Sequence, residues 1–266
     1  MSQRSILFVG HSHTDCIAAA AKQIGAENVA VVSLTRHEFA EGLRRRREKK
    51  KAREKFKLDK NSLARSRRQL EKEAVRRTAM WISRVSPMPE PDVICLCLEG
   101  NRHNILGLVE NPSPFSIGHE EVGCVPPMGG ERHFIPYRVL WDIYDTPRLR
   151  ALTPNIFSLF PTAKRICLSP PPPVGDWKRI RLGPWMNALK DRDPTPKELK
   201  LHLYRVQCEV LRDMAEKVGA SFIEPDESLL DDGFLSIDYC ADVTHGNVAY
   251  GEVMLKRVMD KAAGLR

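Results

Sequence analysis

Five short apolar runs, rich in β-branched residues and each closed by polar or turn residues, constrain this chain more than any other feature. They cover residues 5–9, 29–34, 92–98, 165–168 and 221–223. Runs of this length with such flanks predict buried strands. Helical patterns lie between them. Residues 15–24 are Ala-rich and stop at Gly25, a C-terminal cap signal. Residues 196–218 place Leu199, Leu203, Val206, Val210, Leu211 and Met214 at a 3.6-residue period and stop at Gly219. Residues 248–263 set Val253, Met254, Val258 and Met259 on one face. Strands alternating with helices predict an α/β fold, with a mostly parallel sheet covered on both faces. The Pro- and Gly-rich stretch 111–193, including Ser169-Pro170-Pro171-Pro172-Pro173, is expected to supply long loops over the carboxyl edge of that sheet. A length of 266 residues, 42% of them hydrophobic, suits a single domain over 1–266 with its own core and argues against global disorder.

Charge is unevenly distributed. Residues 41–80 hold 17 of the 42 Lys and Arg but only 6 of the 34 Asp and Glu, so the rest of the chain carries 25 basic against 28 acidic residues. A mildly acidic body therefore bears one basic helical arm, over 41–83, inserted after the second strand. A break near Leu58-Asp59-Lys60-Asn61-Ser62 predicts a helical hairpin, with Asn61 or Ser62 capping its second helix. Leu63, Leu70, Ala74, Met80 and Trp81 are expected on that helix's apolar face. Such an arm suits either a solvated insertion or a surface for an anionic partner through residues 41–80. Phe56 is the lone aromatic between Arg44 and Arg77, so no base-stacking motif interleaves the charges.

The seven cysteines are odd in number, scattered from Cys16 to Cys240 and without CxxC spacing. Buried free thiols in a reducing cytoplasm are the expectation, with Cys95 and Cys97 packing on one face of a strand. No uninterrupted apolar run reaches the length of about 18 residues that a transmembrane segment needs. The beginning of the chain has only a five-residue apolar run, which does not read as a secretory signal.

Three polar segments fall where a parallel sheet collects its chemistry, at the carboxyl ends of strands. The first run leads directly into Gly10-His11-Ser12-His13-Thr14 and a helix. A Ser there projects its hydroxyl into the crevice, and its N–H lies near a helix N-terminus, both of which suit a nucleophile that creates an oxyanion. Ser12 also fits a simple helix cap. The third run leads into Glu99-Gly100-Asn101-Arg102-His103-Asn104, where an Asn amide could donate to an oxyanion or merely complete a polar turn. The last segment, Asp242-Val243-Thr244-His245-Gly246-Asn247, precedes the final helix. A carboxylate three residues before a His can fix its tautomer, although Asp242 could equally cap the helix.

Together, a Ser after strand one, an Asn after strand three and a C-terminal Asp-x-x-His resemble the SGNH hydrolases, also called the GDSL esterases. Their first block, Gly-Asp-Ser, is met by Gly10-His11-Ser12, with His11 in place of Asp. Their Gly-x-Asn-Asp block is met only at Asn101, with Glu99 and Arg102 at the Gly and Asp. Their Asp-x-x-His block is met by Asp242 and His245. The glycine that the family uses after its second strand has no assigned counterpart, Gly42 being the candidate nearest that place in the sequence.

This resemblance implies a three-layer αβα fold around a flavodoxin-like five-stranded parallel sheet. It also implies a Ser12–His245–Asp242 catalytic triad and an oxyanion hole from the Ser12 N–H and Asn101. Small acyl esters, acetyl on carbohydrate among them, are the implied substrates. Water as acceptor gives an esterase and a sugar hydroxyl an O-acyltransferase. No metal or organic cofactor is called for, and His13, His103, His119 and His133 lack metal-ligand spacing. His11, His13, His103 and Asn104 flank the proposed site and are candidates for substrate contact. The alternative is a non-catalytic binder on the same scaffold, docked through residues 41–80.

Overall fold

All five apolar runs form strands, each within about a residue of its expected bounds. The computed structural model describes residues 4–35, 37, 60–100, 102–119, 123–124, 132–176, 180 and 192–264. In chain order these comprise β1 (Ile6–Gly10), α1 (Thr14–Gln23), β2 (Val29–Ser33), α2 (Lys60–Val85), β3 (Val93–Cys97) and α3 (Arg102–Gly107). Next come β4 (Phe115–His119), β5 (Gly123–Cys124), β6 (His133–Pro136), α4 (Tyr137–Tyr144) and α5 (Pro147–Ser158). Then follow β7 (Lys164–Leu168), α6 (Lys197–Lys217), β8 (Ser221–Ile223), the hairpin strands β9 (Leu230–Asp231) and β10 (Phe234–Leu235), and α7 (Val248–Gly264).

The main sheet has the order β2-β1-β3-β7-β8, and every pairing in it is parallel. Counted along the sheet's own strands this is 2-1-3-4-5, the flavodoxin-like order. Alternation along the strands separates two cores. Leu7, Val9, Ile94 and Leu96 face one side, where α2, α5 and α6 add Val75, Ile82, Leu152, Ile156, Leu203 and Val210. Ile6, Phe8, Val93, Cys95, Cys97 and Ile166 face the other, against Ile17 of α1 and Met254, Leu255 and Val258 of α7. The fold is therefore three-layered, as expected, and α1 shares its layer with α7. Gly25 and Gly219, with φ of 67° and 66°, follow α1 and α6 in the left-handed conformation that ends helices.

Two expectations need correction. The stretch 111–193 is more than loops. Besides the expected strand β7, it contains a second sheet, in which β4 pairs parallel with β6 and antiparallel with β5, and the helices α4 and α5. Phe115 and Ile117 anchor that sheet in the core. The helix after the basic segment also differs. Its described residues start at Lys60, and Asn61 and Ser62 lie within the helix, not at its cap. Its buried face is Ala74, Val75, Thr78, Ala79 and Ile82, while Met80 is 40% exposed. Thus the end of the expected arm is a layer helix. Residues 41–59 lie outside the described residues, Gly42 among them.

Cys16, Cys95, Cys97, Cys167 and Cys208 are buried free thiols. Cys95 and Cys97 share one face of β3, as expected. Among the described residues, no helix is long and apolar enough to cross a membrane.

Candidate active site

Ser12 lies in the turn between β1 and α1. The His11 N–H donates to the Cys97 carbonyl at 3.2 Å, and Thr14 returns its N–H and hydroxyl to the His11 carbonyl. These bonds tie the turn to the end of β3. The N-cap of α1 is His13, which makes no side-chain cap bond. The Ser12 hydroxyl instead meets His245 Nε2 at 2.8 Å, across 233 residues of sequence. Capping does not explain Ser12.

The His245 ring is set from its own loop. Its Nδ1 lies 2.9 Å and 3.0 Å from the two Asp242 carboxylate oxygens. The backbone N–H groups of Thr244 and His245 donate to Asp242 Oδ1 at 2.7 Å and 2.9 Å, forming a tight carboxylate-centred turn. Because a carboxylate can only accept, Nδ1 carries the proton and Nε2 offers its lone pair to Ser12, a tautomer assigned from the network. Asp242 does not cap the following helix. That role falls to Asn247, whose Oδ1 accepts from the Tyr250 N–H at 3.1 Å. Burial works against the charged Asp242 carboxylate, but the His245 bond and the Thr244 bonds outweigh it and hold its pKa down at about 2. It is a carboxylate at any pH where this ring could act as a base.

Thr244 was not anticipated. Its hydroxyl lies 2.9 Å from both Asp242 Oδ1 and His245 Nδ1, and it is nearly buried. Val243, fully buried against Leu108 and Val109, fixes the loop to the segment after α3. That segment is held in turn by the Glu110 N–H bond to the Asp193 carbonyl.

The turn after β3 closes the other side. Glu99 has φ 58°, and Arg102 bonds its carboxylate at 3.0 Å and the Ile143 carbonyl at 2.9 Å. Gly100 approaches so closely that a Cβ there would fall 1.8 Å from His13 Cδ2. The His13 ring lies 5.0 Å from that of His245, tilted by 38°. His13 thus stands behind the proposed base. Asn101 lies outside the described residues.

The remaining candidates divide. His11 is partly exposed in the Ser12 turn. His103 and Asn104 are buried. The His103 ring packs edge-on to Tyr204 and bonds Gln207. Desolvation pulls its pKa down to about 4, against a small upward push from Gln207, so the ring is neutral at physiological pH. Gln207 was also missed. Its one legible signal is a polar side chain on the buried stripe of α6, four residues from Leu203 and Leu211. Among the described residues, no group of three His, Cys, Asp or Glu side chains is placed to hold a metal ion.

No protein-family model matches the sequence, and no curated protein is significantly similar to it. Solved structures with a similar fold include a native aryl esterase of M. smegmatis, at 13% identity and a TM-score of 0.46, covering 99% of this chain and 100% of that one. A carbohydrate acetylesterase from Sinorhizobium meliloti is 13% identical with a TM-score of 0.44 and the same two coverages. A GDSL-like lipase from Bacteroides thetaiotaomicron is 12% identical with a TM-score of 0.44, covering 98% and 93%.

Proposed function

We propose that this chain is a serine ester hydrolase with Ser12 as nucleophile, His245 as general base and Asp242 as its orienting carboxylate. The observation that carries this reading is the unbroken Ser12–His245–Asp242 hydrogen-bond series, at 2.8 Å and 2.9 Å, at the carboxyl edge of a parallel sheet. Ser12 Oγ attacks the ester carbonyl as its proton passes to His245 Nε2. Asp242 stabilises the imidazolium that forms, without taking the proton itself. The tetrahedral oxyanion is met by the Ser12 N–H and, on the sequence reading, the Asn101 amide. As that intermediate collapses, the leaving alcohol takes the proton from His245. Water, deprotonated by the same ring, then hydrolyses the acyl-serine and restores Ser12.

Small acyl groups, acetyl on carbohydrate in particular, are the substrates that the family resemblance implies. A sugar hydroxyl in place of water would make the same site an O-acyltransferase. Buried free thiols favour a reducing compartment, the cytoplasm. The basic segment 41–80 is assigned an anionic partner, separable from the chemistry.

The test is p-nitrophenyl acetate hydrolysis by wild type and Ser12→Ala side by side. Turnover in the wild type that is lost in the variant is the expected result. Equal background rates in both would sink the esterase reading and leave a strict transferase or a binder.

A further inference from the structure

Gln207 sits on α6 with 1% of its surface exposed, behind the turn that follows β3. Its Oε1 accepts from the His103 backbone N–H at 2.8 Å and faces His103 Nδ1 at 3.0 Å. Its Nε2 donates to the Glu99 carbonyl at 2.5 Å. The amide cannot be turned over. A backbone N–H only donates and a backbone carbonyl only accepts, so each end of the side chain has one permitted partner. The same logic puts the His103 proton on Nδ1.

One buried amide therefore spans the turn from residue 99 to residue 103. The turn needs such a clamp, because Glu99 holds a left-handed φ of 58° that a residue with a side chain adopts reluctantly. Gly100, the next residue, abuts the His13 ring, and His13 abuts His245. Packing this tight has little free volume to absorb a displaced turn, so the displacement passes to the rings.

We propose that Gln207 is a positioning residue for the hydrolase site, its amide clamping the 99–103 turn so that Gly100 and His13 hold the His245 ring against Ser12. This role rests on the serine-hydrolase reading. Gln207 is 1% exposed and packed behind the turn, so its loss is expected to act on turnover more than on binding.

The experiment compares kcat and KM for p-nitrophenyl acetate in wild type, Gln207→Met, Gln207→Glu, Val210→Ala and Ser12→Ala, with Tm measured for each. Gln207→Met removes both hydrogen bonds at similar volume. Gln207→Glu keeps the acceptor for His103 but sets an oxygen against the Glu99 carbonyl, which keeps the test available if the apolar variant does not fold. Val210 is buried on the next turn of the same helix with no polar partner to lose, so Val210→Ala reports a purely structural defect. Both Gln207 variants are expected to lose about 10- to 100-fold in kcat, with KM within about twofold. Val210→Ala is expected to lower Tm with kcat unchanged. Wild-type kcat in both Gln207 variants, with Ser12→Ala inactive, overturns the positioning role alone. An equal kcat loss in Val210→Ala at an equal fall in Tm also overturns it. An active Ser12→Ala overturns the hydrolase reading and this role together.

Discussion

Asp242 receives more bonds than any other side chain at the site: two from backbone N–H groups, one from the Thr244 hydroxyl and the His245 ring across both oxygens. Replacing it by Asn would leave the turn nearly intact but present an amide N–H where only an acceptor orients the ring correctly. Asp242→Asn is therefore expected to cut kcat by about 10³- to 10⁴-fold with KM little changed, read in steady-state kinetics. His103 gives a stability prediction of the kind set by protonation. Its folded pKa of about 4 lies below the ordinary 6.5, so the unfolded chain binds the extra proton between these values. Stability is then full above about pH 6.5 and falls as the pH drops towards 4. His103→Leu should flatten that part of a Tm-against-pH curve, and an unchanged slope would refute the assignment. At this scale the sequence was ambiguous for a physical reason. Ser12 and Asp242 are both good helix-capping residues, and only the arrival of a ring from 233 positions away distinguishes the roles. Thr244 and Gln207 were silent because their partners are set by tertiary contact.

The two helices that follow the proposed catalytic residues, α1 and α7, pack at a backbone-to-backbone contact. A Cβ on Gly251 would fall 2.3 Å from the Cys16 carbonyl oxygen. Even one methyl group must spread the helices, and with them the Ser12–His245 distance. Gly251→Ala is expected to destabilise the protein by about 1–3 kcal/mol and to lower esterase activity beyond that of the matched control Gly264→Ala. Gly264 has open space around it, so its substitution should leave Tm and activity near wild type. The strands of the main sheet and the helices α1, α6 and α7 were legible because their apolar patterns are regular and closed by polar or turn residues, with Gly25 and Gly219 after α1 and α6. The small sheet was not, since β5 spans two residues and β6 ends in Pro136. Nor was α5, where Pro147 and Pro154 read as breaks. In fact Pro147 occupies the first turn, which tolerates it, with the Thr146 hydroxyl accepting from the Leu149 N–H.

Along the sequence, the basic excess and the proposed site fall in different segments. The site is built from the ends of β1 and β3 and the loop before α7, whereas the excess of Lys and Arg is concentrated in residues 41–80. Changing Arg44, Arg45, Arg46, Arg47, Lys49, Lys50 and Lys51 to Gln is expected to abolish salt-sensitive retention on a polyanion column while leaving p-nitrophenyl acetate turnover unchanged. Retention that survives these substitutions would remove the anionic-partner assignment. The alternation of elements made the sheet's parallel character legible, because only crossover connections through helices satisfy it. The layer in which each helix lies was not legible, since that depends on which strand face each crossover covers.

Ser12 stands at the end of the first strand, and its base stands just before the last helix. On the proposed reading, a polypeptide emerging from the ribosome carries its nucleophile from the outset, yet that hydroxyl has no proton acceptor until the segment with Asp242 and His245 has been made and docked. Any product of premature termination before Asp242 keeps the serine in its sequence but lacks both the proposed base and the last helix, and is expected to be chemically mute. Hydrolytic competence, under the proposed mechanism, would therefore report that synthesis has passed the final loop and that the Ser12–His245 contact has closed.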